Sequence, residues 1–467
     1  MRKRIRTATR LGLMILPVAF STACNGDNGV TDPPPGPDPP GPGPQTAILE
    51  GDVRTTRTLS PDTTYTILGF LEVQPGGELV IPAGTLLLSD PNTKGTIVTL
   101  RCEGDQPSGR LVVQGTAANP VHFRPAVDGP LSRGQAGGIV LHGCAPINQP
   151  IPAVSEGVAR PFGGDDPNDS SGEIRYLTIE FGGVKVTPDN EINGLTMSGV
   201  GDGTIIEFVQ THFIADDGFE WFGGTVHGRN LVSTGNDDDS FDCDFGWNGT
   251  IQFIVAIQDR NLANRGVECD NDGAGSNNLP FTEPNVWNGT WVGTGIERAN
   301  NEINDGLYLR RNISGTWRNL IVTNFGNAGA VFDGTGVVGK LGTGELVLDN
   351  VLFFNNRCLS SPEACGGGGP IDDIVYRLDG AYTSAGVGAQ FAGATILEGD
   401  PLFGSVDYDN PMNGTAPNLL PVAGSPALDP ANAATPTGPA IDPSATFLGA
   451  FDGTDNWMAG WTVWNTQ

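Results

Sequence analysis

The residues best suited to chemistry lie in one stretch, Asp216 to Asp244. There Asp216, Asp217, Glu220, Asp237, Asp238, Asp239, Asp242 and Asp244 share the chain with a single arginine, Arg229, and no lysine. Carboxylates at this density can do three things. Hard oxygens clustered on loops suit calcium, which takes about six to eight of them in irregular geometry. Paired carboxylates also serve glycoside hydrolysis, one as general acid and the other as nucleophile or base. The third reading needs no ligand, because Asp and Asn favour turns and an acidic row can be solvated or salt-bridged. The stretch has neither EF-hand spacing nor a glycine-rich nonapeptide calcium repeat. Arg265, just downstream, is placed to neutralise neighbouring carboxylates without metal.

The elements that must position these groups recur along the chain. A small residue, an apolar one, a variable one and another apolar one appear at Gly194–Met197, Gly218–Trp221, Ser240–Cys243, Gly266–Cys269, Gly306–Leu309 and Gly329–Phe332. Between them runs a second phrase, polar then two apolar, at Arg175–Leu177, Glu207–Val209, Asn230–Val232, Gln252–Ile254, Asn319–Ile321 and Asn350–Leu352. Copies of the first phrase start 24, 22, 26, 40 and 23 residues apart, which is solenoid spacing with loops inserted where the interval lengthens. The expected fold is all-β: a right-handed parallel β-helix, a single solenoid with inserted loops. With 68 Gly and 36 Pro, long helices are excluded.

Alternation along each strand turns Phe219 and Trp221 inward and Glu220 outward. In register, Glu220, Asp242 and Glu268 form one column at about 4.8 Å spacing. Asp217 and Asp239 precede the same strand in successive coils, Asp216 and Asp238 one residue earlier, and Asp244 and Asp270 make a further row. These nine residues are the candidate metal ligands. Asp216, Asp217, Glu220, Asp239 and Asp242 are also the groups a catalytic reading would use.

The runs Gly163–Gly183 and Asn190–Gly249 resemble a group of uncharacterised bacterial β-helix lipoproteins and secreted proteins of the pectin-lyase-like class. The resemblance covers most of residues 46 to 467 and implies fold and location, with no established activity. Gly399–Gly404 and Asn418–Pro430 are similar to the closing segment of right-handed β-helices. Phe447–Trp464 is similar to that group's aromatic tail, expected here as a cap on the last coil. Ala215–Gly218 and Val226–Gly228 look like the acidic pair and histidine motif of polygalacturonases, but Asp217 and His227 are ten residues apart, whereas adjacent coils demand about twice that. No Arg-x-Lys motif follows. Lyases of this fold pair calcium with a basic residue, for which Arg229, Arg310 or Arg311 could be nominated. The four histidines lack zinc-like spacing. Trp287, Trp291 and Trp317 could stack on sugars, with core packing the commoner fate.

Cys243 and Cys269 occupy equivalent positions in adjacent repeats, within disulfide reach, so they are expected to pair. Cys358 with Cys365 would close a short loop, leaving Cys102 with Cys144. The amino terminus explains why disulfides suit this chain. Arg2, Lys3, Arg4, Arg6 and Arg10 precede an apolar run, Leu11–Phe20, too short to span a bilayer, and the run closes in "FSTAC", Phe20–Cys24. That segment resembles a bacterial lipobox with Ser21 where Leu is usual, which makes Cys24 the expected lipidation site. Residues 1–23 then form a signal peptide and 24–45 a proline-rich stalk. Residues 46–467 form the helix body with its aromatic cap. The chain is expected to be exported and anchored to the outer membrane or cell surface through lipid, with no transmembrane helix. A formal charge of −28 excludes nucleic acid as a partner. The functional expectation is binding or adhesion to a glycan or surface protein, with calcium as a cofactor of the acidic face. Polysaccharide hydrolysis or lysis is the alternative.

Overall fold

The computed structural model describes residues 45–187, 190–295, 304–356 and 372–466. Within them, 25 strands join into one sheet, paired in parallel except for the hairpin of Ile374–Leu378 with Ala381–Thr383. Each turn of the coil stacks its strands on those of the turn before. Ile205–His212 and Phe219–Gly224, for instance, pair with His227–Thr234 and Phe241–Asp244. The fold is the all-β parallel β-helix that the repeat predicts.

The longer strand of each turn bends in the middle, so one turn presents three faces. The bend is a residue in the left-handed region: Tyr176, Phe208, Asn230, Phe253, Asn288, Asn319 and Asn350, with φ between 51° and 59°. This corrects the alignment of the second phrase. Arg229, not Asn230, lies opposite Glu207 and Gln252. Asn230, Asn319 and Asn350 therefore fall one residue later, at the bend with Phe208 and Phe253. Asparagine tolerates that backbone, and the aromatic occupants offset its cost of about 1–2 kcal/mol by stacking outside the coil. Tyr176 lies on Phe208 with ring centroids 4.3 Å apart.

Inside the coil the repeated apolar positions pile up in rows. Leu195, Phe219, Phe241, Val267 and Leu307 stand in one, and Met197, Trp221, Cys243, Cys269 and Leu309 in the next. Phe219 stacks on Phe241 at 5.3 Å, and Trp221 on Trp247 at 4.6 Å. Trp287, Trp291 and Trp317 are buried, so packing rather than sugar contact is their fate. The Cys243–Cys269 disulfide forms within the second row, across Cα atoms 4.6 Å apart, and Cys102 bonds Cys144. The Cys358–Cys365 pairing and Cys24 lie outside the described residues, as do the signal peptide and nearly all of the stalk.

The carboxy-terminal segment departs from expectation. Instead of capping the last coil, it runs back along the flank. Asn350 Nδ2 donates to Asn432 O (2.9 Å), Asn319 Nδ2 to Ala434 O (2.8 Å) and Asn288 Nδ2 to Phe447 O (2.8 Å). Gln252 and Gln210 each make paired bonds, to the backbone of Asp442 and Val463 respectively. Trp461 then packs edge-on against Tyr176 and Phe208, about as far back as the coil of residue 176. The outward apolar residues Phe181, Phe213, Val232, Val255 and Val292 explain the path, since they form one buried cluster with Phe451, Met458 and Trp461.

Candidate functional site

The acidic residues gather on the third face, formed by Leu195–Val200, Phe219–Gly224, Phe241–Asp244, Arg265–Cys269 and Asp305–Leu309. The outward positions align as Thr196, Glu220, Asp242, Glu268 and Tyr308. Just before these strands, or at their first residue, stand Asn193, Asp217, Asp239, Arg265 and Asp305. These residues tie coil to coil. Asn193 Oδ1 accepts the Asp217 amide (3.2 Å), Asp217 Oδ1 the Asp239 amide (2.8 Å) and Asp239 Oδ1 the Arg265 amide (2.7 Å). Asp305 likewise accepts the amide of Ala328. A short acceptor side chain at this station thus satisfies a backbone donor of the next turn.

Three sets of carboxylates converge: Asp216, Asp217 and Asp238; Asp217, Glu220 and Asp242; and Asp239, Asp242 and Glu268. Within each set the oxygens lie within 4.8 Å of one another, and Asp217 and Asp242 link the sets into a continuous track. Asp244 and Asp270 fall outside all three. Glu220 faces away from the core as alternation predicts, yet it is buried, as are Asp216, Asp217, Asp239 and Glu268.

The covering comes from parts of the chain outside the repeat. Glu156 belongs to the inserted loop around the Ala153–Val154 and Pro161–Phe162 hairpin. It shares a side-chain hydrogen bond with Glu220, which requires one of the two carboxyls to hold a proton. Asn193 Nδ2 donates to Glu220 from the other side. Lys185, on the neighbouring Val184–Thr187 and Asn190–Ile192 hairpin, approaches Asp216 (3.7 Å) and Asp237 (3.8 Å). Repeat spacing gives no hint of Glu156 or Lys185, because neither sits at a repeated station.

Burial is the first cause that lifts these acids above the usual carboxylate range. Asp217, Glu220, Asp239 and Asp242 are held well above it, with the charge of neighbouring carboxylates as the next cause. Asp216 is pushed up to about 8, against the pull of Lys185, and Asp244 to about 8, with Asp270 adding to burial. At the far end the charge is balanced. Glu268 pairs with both Arg265 and Arg310, and Asp270 with Arg310 (2.7 Å) and Arg311 (2.7 Å). Arg265 also lies over the Tyr308 ring at 4.1 Å. Its guanidinium is therefore committed to Glu268, and it reaches Asp239 through its backbone amide and its field rather than through an ion pair. The middle set, Asp217, Glu220 and Asp242, has no ion-pair partner among the described residues.

The arrangement weakens the catalytic alternatives. Arg310 is held protonated by Glu268 and Asp270, and Arg311 is paired with Asp270, so neither is free to act as a base. Arg229 lies on another face, opposite Glu207. His227 begins the first face, where its Nδ1 accepts the Thr250 amide (3.0 Å), and it does not join Asp217. His142 and His212 are fully buried and hydrogen-bonded within the fold. His122 bonds Thr178 and Glu180.

Comparison with curated proteins and with solved structures gave no match. A family model does match residues 51–392, covering nearly the whole stack of parallel strands described above, and the chain belongs to the pectate-lyase-like beta helix domain family.

Proposed function

We propose that the protein is an exported, lipid-anchored β-helix of the outer membrane or cell surface. Its acidic track takes calcium, and it acts as a binding module for a glycan or surface protein. The observation that carries this reading is the middle carboxylate set. Asp217, Glu220 and Asp242 bring oxygens within 4.8 Å of one another with no ion pair to any of them among the described residues. Buried like charges repel strongly, and a divalent cation would remove that cost while using oxygens already converged at a separation suited to its coordination sphere. The amino-terminal sequence supports export and a lipid anchor. Among the described residues no helix is long and apolar enough to cross a membrane.

The test is retention on a glycan array in calcium and in chelator, followed by analysis of bound polysaccharide for cleavage. Retention without new reducing ends or unsaturated sugars is expected, stronger in calcium than in chelator. Release of either product would replace this reading with an enzymatic one.

A further inference from the structure

A second site lies at the bend between the first two faces. The carboxy-terminal segment arches away from the coil there and leaves a cavity of about 440 Å³, lined by Phe208, Asn230, Phe253, Phe447 and Trp457 among others. The bend sequence explains the gap. Phe208 and Phe253 occupy alternate turns with the shorter Asn230 between them, so the two rings stand about 9–10 Å apart, twice the strand spacing. Phe447 stacks on Phe253 at 6.3 Å, and Trp457 lies edge-on to Phe208 at 6.5 Å.

Several polar groups here are unused. Asn288, Asn319 and Asn350, at the same station in later turns, give their amides to backbone carbonyls of the carboxy-terminal segment. Asn230 is only 7% exposed, and its side chain has no hydrogen-bond partner among the described residues, although it lines the cavity. Arg229 Nε is buried without an acceptor beside the same cavity, and the guanidinium lies 5.6 Å from the Phe253 ring centre. Asp442 and Asp452 on the opposite wall use Oδ1 on their own turns, leaving each a second oxygen.

Donors, acceptors and aromatic faces around one space match a ligand that both donates and accepts hydrogen bonds and presents C–H faces. The three carboxylates, Asp442, Asp452 and Asp455, outnumber Arg229 and disfavour an anion, while the unused donors of Asn230 and Arg229 call for a ligand that also accepts, which a hydroxyl does and an ammonium does not. We infer that this cavity is a binding site for a neutral sugar ring, with Asn230 and Arg229 bonding its hydroxyls and the aromatic rings packing on its faces. The inference rests on and deepens the glycan reading above, but places the sugar away from the calcium track.

The experiment titrates the full chain with neutral hexose and N-acetylhexosamine oligosaccharides in chelator, read by tryptophan fluorescence and saturation-transfer NMR. Wild type is compared with Asn230→Gly, which suits the positive φ, with Trp457→Ala and with Asp242→Asn, each checked for an unchanged circular dichroism spectrum. Saturable binding without calcium is expected, weakened about tenfold or more by Asn230→Gly, as loss of one or two hydrogen bonds requires, and unchanged by Asp242→Asn. The inference is overturned if no sugar binds, or if binding survives both cavity variants. It is also overturned if binding needs calcium and Asp242, an outcome that would leave the proposed function standing and move the sugar to the track.

Discussion

Asp242 is the residue on which the acidic track turns, since it belongs to two of the three carboxylate sets and has no ion-pair partner among the described residues. Its carboxyl, like those of Asp217, Glu220 and Asp239, is raised by burial first and by its neighbours next. Raised groups bind protons more tightly in the folded than in the unfolded chain, so their contribution is most favourable at low pH. It is lost as pH rises through the folded values, about 8 for Asp216 and for Asp244. In chelator, Asp242→Asn should therefore narrow the fall in melting temperature between about pH 5 and about pH 8. An unchanged fall would show that Asp242 is not strained. His212 acts with the opposite sign. Burial lowers it to about 4 from 6.5, so the fold favours its neutral form, and that contribution is lost as pH falls between those values. His212→Gln should flatten the acid limb of the stability profile, measured by urea unfolding across that window. The nine acidic positions were legible in the sequence because each stands at a repeated station. Glu156 and Lys185 were not, because contacts made by inserted hairpins leave no periodic trace.

At the scale of the element, the bend decides both register and attachment. Asn319 combines a φ of 58° with a hydrogen bond donated by Nδ2 to Ala434 O (2.8 Å) and one accepted by Oδ1 from the Ala434 amide (2.8 Å). Asn319→Ala would strand these partners and strain the backbone, at a cost of about 2–4 kcal/mol when both effects are counted. Chemical denaturation measures it, and a change below about 0.5 kcal/mol, typical of a surface substitution, would contradict the role given to the bend. The repeat revealed that such a station exists, since polar-apolar-apolar phrases recur between the inward strands. It did not reveal the one-residue offset of Asn230, Asn319 and Asn350, because asparagine and aromatic side chains share the bend without sharing hydropathy. The inward rows were easier to read. Phe219, Trp221, Phe241 and Cys243 repeat at a spacing that only a stacked coil makes useful.

At the scale of the whole molecule, the carboxy-terminal segment works as a strap. It covers outward apolar residues of the second face, and it sets Trp461, only 1% exposed, on Tyr176 and Phe208. Trp461→Ala should cost about 3–5 kcal/mol, the usual loss for a large buried aromatic, read as a lower denaturation midpoint. Little change would mean that the strap contributes little to stability. The aromatic composition of Phe447–Trp464 announced that this segment must be buried, but not where, since the apolar rows that receive it are divided among many turns. The strap lies on one flank and the acidic track on another, which separates the two proposed ligand sites.

The most direct measurement is thermal unfolding of the protein at about pH 8 in calcium and in chelator, beside an Asp239→Asn, Asp242→Asn double variant. Calcium at about a hundred times its dissociation constant would add roughly 2.7 kcal/mol to the folded state, a rise of a few degrees for a chain of this size. That rise is expected in wild type, and its loss in the variant. Equal melting temperatures for wild type in calcium and chelator would contradict the calcium reading.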